Sequence, residues 1–242
     1  MILFILLAAH FLADFTLQPG VLAKRKTESF GFLLLHSLIY ALVIAAAGFV
    51  TVQVKSMLLP FAIIVVSHFV LDWLRIKIDS KFKDTGVQFW VFVMDQVLHL
   101  AVIGAVYFGF GLRENMTDLF RHFYGWIIVR EIIVCCLIFV VIWDPASVFV
   151  KKLFGYLSGS TELAALEDEP RTGSLIGKLE RLIIAVLVIH NQLGVIGFVL
   201  TAKSIARFKQ FEEQGFAEKY LVGTLASTAI AIIVSLVMRV YI

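Results

Sequence analysis

Seven ionisable side chains sit inside otherwise apolar runs: His10 and Asp14, His36, His68 and Asp72, and Asp95 and His99. Three of the four runs carry a His/Asp pair four residues apart, a spacing that puts both side chains on one helical face. Imidazole nitrogen and carboxylate oxygen suit zinc, and also manganese or iron. Four imidazoles and three carboxylates, with no lysine among them inside the apolar runs, fit a divalent cation better than a set of ion pairs. Seven candidate ligands exceed the four that one zinc needs. The pattern therefore predicts two metals, or one metal whose ligands are oriented by the remaining residues. A carboxylate not used as a ligand, Asp14 or Asp72, would act as general base. Gln18 and Gln88 extend the first and last of these stripes, and Gln18 is a candidate substrate contact. The competing chemistry is a His/Asp proton relay in a transporter, which spacing alone does not separate from metal binding.

The elements that must position these groups are membrane helices. Of 242 residues, 60% are hydrophobic and 16% charged, with mean hydropathy +0.94 and 22 Phe. Soluble domains average about 45–50% apolar and about 25% charged. The sequence predicts an all-α, multi-pass helix bundle of about seven transmembrane or re-entrant helices. These fall at about 1–18, 29–51, 57–76, 88–112, 125–150, 179–201 and 220–241, by runs of about 20 apolar residues. Residues 1–112 form a four-helix unit carrying the His/Asp layer, and 113–242 a second unit of about three helices with an exposed acidic loop at 155–174. Counted from one common end of the first four helices, the seven polar residues span a layer roughly 6–17 Å deep, at about 1.5 Å rise per residue. An uncompensated carboxylate at the centre of a bilayer costs about 2.5–3.5 kcal/mol even on insertion scales, so three of them need compensation.

The first run reads as a retained helix rather than a cleaved leader, because it carries His10 and Asp14 and lacks a basic start. Basic residues cluster in short loops, which is the positive-inside pattern of a bacterial inner-membrane protein and not a nucleic-acid footprint. This makes the side with Lys24, Arg25, Lys26, Arg75 and Lys77 cytoplasmic. The stretch Lys203–Lys219 conflicts with a simple seven-span topology. His190, Asn191, Gln192 and Gly194 interrupt the sixth segment, so a hairpin that returns to the cytoplasm is the alternative. Adjacent Cys135 and Cys136 are poorly placed to bridge. In the second unit Arg130 is expected to pair with Glu180, and Arg171 and Arg181, with Lys178, to gather a phosphate-bearing head group. Lys203, Arg207 and Lys209 suit an interfacial segment on anionic lipid. The sequence leaves oligomeric state open.

The strings His10-x-x-x-Asp14-Phe15-x-Leu17-Gln18, His36-Ser37, Ser67-His68-Phe69-x-Leu71-Asp72 and Asp95-Gln96-x-x-His99 resemble the bacterial membrane family catalogued as domain of unknown function 3307. Gly177-x-Leu179-Glu180-Arg181 and the run Ala202–Phe208 are similar to that family too. More distantly, the His-x-x-x-Asp pairs resemble the LexA-regulated inner-membrane proteins described as metal-dependent hydrolases, and through them the all-α zinc phospholipase C group. That resemblance implies that His10, Asp14, His36, His68, Asp72, Asp95 and His99 are metal ligands. No counterpart of the N-terminal amino ligand of those soluble enzymes is present. The expected function is hydrolysis of a phosphoester, such as a lipid or polyprenyl phosphate, at the cytoplasmic side. The alternative is an ion- or proton-coupled transporter using the same residues.

Overall fold

The computed structural model describes residues 1–158, 171–212 and 215–242, with only the backbone of 158, 171 and 172 described. The acidic loop expected at 155–174 therefore lies largely outside the described residues. Among the described residues the chain is helical and has no strand, only an isolated antiparallel bridge between Val52 and Met116. The helices are α1 (Ile2–Phe11), α2 (Gly20–Glu28), α3 (Phe30–Thr51), α4 (Val54–Lys81), α5 (Thr85–Gly109), α6 (Asp118–Tyr124), α7 (Ile127–Ser158), α8 (Arg171–Ile189), α9 (Leu193–Ala206) and α10 (Phe216–Arg239). Helices α3, α4, α5, α7 and α10 are each long and apolar enough to cross a membrane. The segments Ile2–Thr16 and Gly20–Glu28, bent by 80° at the break between them, form a sixth candidate span if taken together. The outward faces of α3, α4 and α5 carry Leu38, Leu42, Leu58, Leu59, Val66 and Trp90, all exposed, while the histidines and aspartates are buried beside an apolar core. Long apolar helices with exposed apolar faces suit a bilayer, and this is a multi-pass helical membrane protein.

Two compact units are present, Met1–Val140 and Val141–Ile242, and the boundary falls within α7. The division expected near residue 112 lies further along because residues 113–124 are fastened to the first unit. Thr117 N–H donates to the Thr51 carbonyl, Gln53 N–H to the Asn115 carbonyl, and Phe120 is buried in the first core. Thr117 also caps α6 through Phe120 N–H, as Asp84 caps α5 through Val87 N–H.

Near residue 12 the first helix leaves α geometry. Over Leu12–Thr16 it widens, with Leu17 N–H donating to the Leu12 carbonyl five residues back at 2.8 Å, a π-type turn that re-aims Asp14. Pro19 then disfavours helical geometry at Gln18 and starts α2 at a new angle. Residues 20–28, expected as a loop, are thus a short helix lying across the end of the long ones.

In the second unit the predicted single helix 179–201 is two. Asn191 takes a positive φ of 59°, the chain reverses, and α9 runs back beside α8. Ile184, Val188, Ile196 and Ala231 form the buried seam with α10. Lys203 on α9 meets Glu180 on α8 at 2.5 Å, and Ser204 meets Tyr220 near the start of α10. Arg239, at the far end of α10, donates to Asn191 at the hairpin tip. The hairpin therefore returns Lys203, Arg207 and Lys209 to the end of the second unit where α10 begins. Glu180, for which the sequence suggested Arg130, pairs with Lys203 within the second unit.

Candidate metal centre

Helices α1, α3, α4 and α5 bring the predicted layer together. His10, His36 and His68 are fully buried, and Asp14, Asp72, Asp95 and His99 expose 5% or less. The His36 Nε2 atom lies 3.2 Å from His68 Nε2, 3.2 Å from Asp72 Oδ2 and 3.3 Å from Asp14 Oδ1. His68 Nε2 lies 3.8 Å from Asp72 Oδ2. One ring proton on His36 cannot serve three acceptors at once, whereas a shared cation can. Ligand bonds of about 2.0–2.1 Å in a tetrahedron put neighbouring donor atoms about 3.3–3.4 Å apart, close to these separations. Tyr40 stacks flat on His68, with ring centres 3.6 Å apart and planes 6° from parallel, and fixes its plane.

A second group consists of Asp72, Asp95 and His99. His99 Nδ1–H donates to the Asp95 carbonyl at 2.8 Å, so its Nε2 carries the lone pair, and that atom is buried without a partner. Asp72 Oδ1 and Asp95 Oδ1 are also buried without partners. Asp72 belongs to both groups, as a carboxylate bridging two cations would. Buried His and Asp groups that can hold metal are thus present, and the orphaned atoms fit that chemistry.

His10 stands outside both groups. Gln96 Nε2 donates to Asp14 Oδ2 and to Asp95 Oδ2, each at 3.1 Å, which turns its Oε1 toward His10 Nε2 at 3.4 Å. His10 Nε2 must then be the donor, and His10 Nδ1 accepts from the Tyr40 hydroxyl at 3.3 Å. The reverse amide would set an oxygen against two carboxylates. The ordered chain Tyr40, His10, Gln96 holds the two aspartates in place, and it engages both ring nitrogens of His10.

Two cations also enter the layer. The Lys26 ammonium, carried in by α2 and only 8% exposed, donates to Asp72 Oδ2 at 2.8 Å and Gln18 Oε1 at 3.2 Å, and lies 3.9 Å from Asp14 Oδ1. The Arg75 Nη1 atom donates to Asp95 Oδ2 at 3.1 Å, and its Nε lies 3.7 Å from Asp79. The sequence premise that no lysine shares the layer is corrected here: Lys26 was assigned to a loop, and the 80° bend brings it in. Gln18 contacts Lys26 rather than open space. Gln96, Tyr40, Lys26 and Arg75 were all missed as site residues, although Gln96 adjoins Asp95 and Tyr40 lies one helical turn beyond His36.

Arg171 has no described side chain. Arg181 is buried in the second unit, where its guanidinium donates to the Ile142 and Trp143 carbonyls and the Ser147 and Ser227 hydroxyls. Lys178 pairs with Asp144 at 2.5 Å.

Fold and site together define a multi-pass helical membrane protein with a buried His/Asp centre. The chain belongs to the family described as "Protein of unknown function (DUF3307)", whose model matches residues 2–127. That span holds every residue of the centre, while the C-terminal strings noted in the sequence lie beyond it. No curated protein and no solved structure matches the chain.

Proposed function

We propose that this protein is an integral membrane metal-dependent hydrolase of a phosphoester, such as a lipid or polyprenyl phosphate, working at the cytoplasmic face of a bacterial inner membrane. The observation that carries the reading is the pair of donor groups sharing Asp72, with two basic side chains in the same layer. His36, His68 and Asp72 would hold one cation, and Asp72, Asp95 and His99 the other. Zinc is the first choice for these donors, with manganese or iron as alternatives. Bound there, the metals would polarise a phosphoryl oxygen and lower the pKa of water. The first donor group also includes Asp14; with Asp14 acting as base, three protein ligands would remain on each side and leave room for substrate, as open metal sites do. Asp14, held through one oxygen by Gln96, is the carboxylate proposed to accept the proton from water. The exclusion of bulk water by α1 and the long helices strengthens every charge interaction within the layer.

The test is to assay purified protein in nanodiscs against lipid phosphomonoesters and diesters, beside His68→Ala and Asp95→Ala. Hydrolysis and bound metal should disappear together. Retained metal with no hydrolysis of any phosphoester would contradict the enzyme. A second reading, cation transport, is favoured by one observation: the break between α1 and α2 lies beside Asp14, and broken helices mark transporter sites. Metal uptake into proteoliposomes distinguishes it.

A further inference from the structure

Three carboxylates, Asp14, Asp72 and Asp95, face two cations, Lys26 and Arg75, with the histidines neutral as ligands. That leaves one negative charge in the buried layer, or two when the half-buried Asp79 beside Arg75 is counted. Two divalent metals would turn this into an excess of two or three positive charges inside a membrane protein, where an unbalanced charge is costly. At Asp72 a metal beside His36 would share Oδ2 with Lys26, whereas Asp95 offers the unpartnered Oδ1 and Arg75 would stay on Oδ2. Asp72 Oδ2 is at once the acceptor of the Lys26 ammonium and a neighbour of His36 Nε2, and Asp95 Oδ2 is the acceptor of Arg75. A loaded site would therefore be short of negative charge, with an ammonium and a guanidinium held beside it.

We infer that Lys26 and Arg75 are the anion-binding residues of the loaded centre, and that they take the phosphate dianion of the substrate as the metals take Asp72 and Asp95. This rests on the two-metal reading of the same site and adds to it the residues that recognise phosphate. A planar guanidinium suits two phosphate oxygens, and an ammonium serves as a point charge. Lys26 is mounted on α2, whose hinge at residues 17–19 lets it exchange partners without disturbing a long helix. Gln18, whose carbonyl oxygen accepts from Lys26, helps to position the ammonium.

The experiment titrates full-length protein in detergent with Mn²⁺ and then with inorganic phosphate, reading bound Mn²⁺ directly and the paramagnetic broadening of the ³¹P resonance. Phosphate should bind only after Mn²⁺. In Lys26→Gln and Arg75→Gln it should bind at least tenfold more weakly, with Mn²⁺ still held. Lys26→Arg should stay within about threefold of the parent protein. Retained Mn²⁺ certifies that a variant is folded, and Lys26→Gln carries the test alone should Arg75→Gln lose metal. Mn²⁺ binding without phosphate broadening, or broadening equal in the parent and Lys26→Gln, overturns the anion site while leaving the metal centre standing. Absence of Mn²⁺ binding by the parent overturns both. Competition by phosphatidic acid in nanodiscs, set against phosphatidylcholine, assigns the phosphate to a lipid head group; absence of competition assigns it to a soluble ester.

Discussion

Replacement of Gln96 by Leu keeps the side chain's approximate shape and removes the amide on which two aspartates depend. Asp14 Oδ2 loses the donor at 3.1 Å that the structure gives it, whereas Asp95 Oδ2 keeps Arg75, also at 3.1 Å. A buried hydrogen bond to a charged group contributes about 1.5–3 kcal/mol. The full value applies at Asp14 and about the lower bound at Asp95, and the 3.4 Å contact with His10 adds little. The sum is about 3–4 kcal/mol. At roughly 2–4 °C per kcal/mol for a chain of this size, thermal unfolding of metal-free protein in detergent should fall by about 10 °C. Loss of a group that orients ligands should also weaken metal binding by about 10–100-fold. Gln96→Glu supplies a sign test. It places a third carboxylate against Asp14 and Asp95, so it should be less stable than Gln96→Leu without metal and should regain more stability than that variant when Mn²⁺ is added. A Gln96→Leu protein within about 2 °C of the parent and equal to it in metal affinity would refute the claim that the Tyr40–His10–Gln96 chain holds the aspartates.

Other expectations follow from particular contacts. Arg181→Met removes four internal hydrogen bonds in the second unit, so unfolding stability should drop by about 2–4 kcal/mol while metal content stays unchanged. Exchange of charges in a Glu180→Lys, Lys203→Glu double variant should recover most of what either single change loses, with a coupling of about 1 kcal/mol in denaturation, because the hairpin sets these groups side by side. Gly48→Ala places a Cβ 2.5 Å from Phe61 Cε1 and 2.8 Å from Met57 Sδ, and should lower stability by about 1–3 kcal/mol through separation of α3 and α4.

The gathering of His36, His68, Asp72, Asp95 and His99 was legible in the sequence for a physical reason. Straight helices of known rise turn residue spacing into depth, and costly groups at one depth in four helices must face one another. The roles within the layer were less legible. His10 obeys the same i, i+4 rule as its neighbours, yet the π-type turn beneath it and the amide of Gln96 turn it into an orienting group. Lys26 follows Pro19 and Gly20 in a short polar stretch that reads as a loop, and only the bend directs its ammonium inward. Arg75 lies three residues past Asp72 near a helix end, where a surface role is the ordinary expectation. In the second unit, the polar break at 190–194 was visible, but the pairing of Glu180 with Lys203 depends on how tightly the chain turns at Asn191.

Elemental analysis of protein purified without chelators should find about two equivalents of zinc or manganese in the parent. Asp72→Asn, altered at the one carboxylate common to both donor groups, should hold close to none while Lys26→Gln keeps both. A folded parent protein with no bound metal, even after incubation with zinc or manganese, would contradict the central claim and leave the layer as a network of ion pairs closed by Lys26 and Arg75.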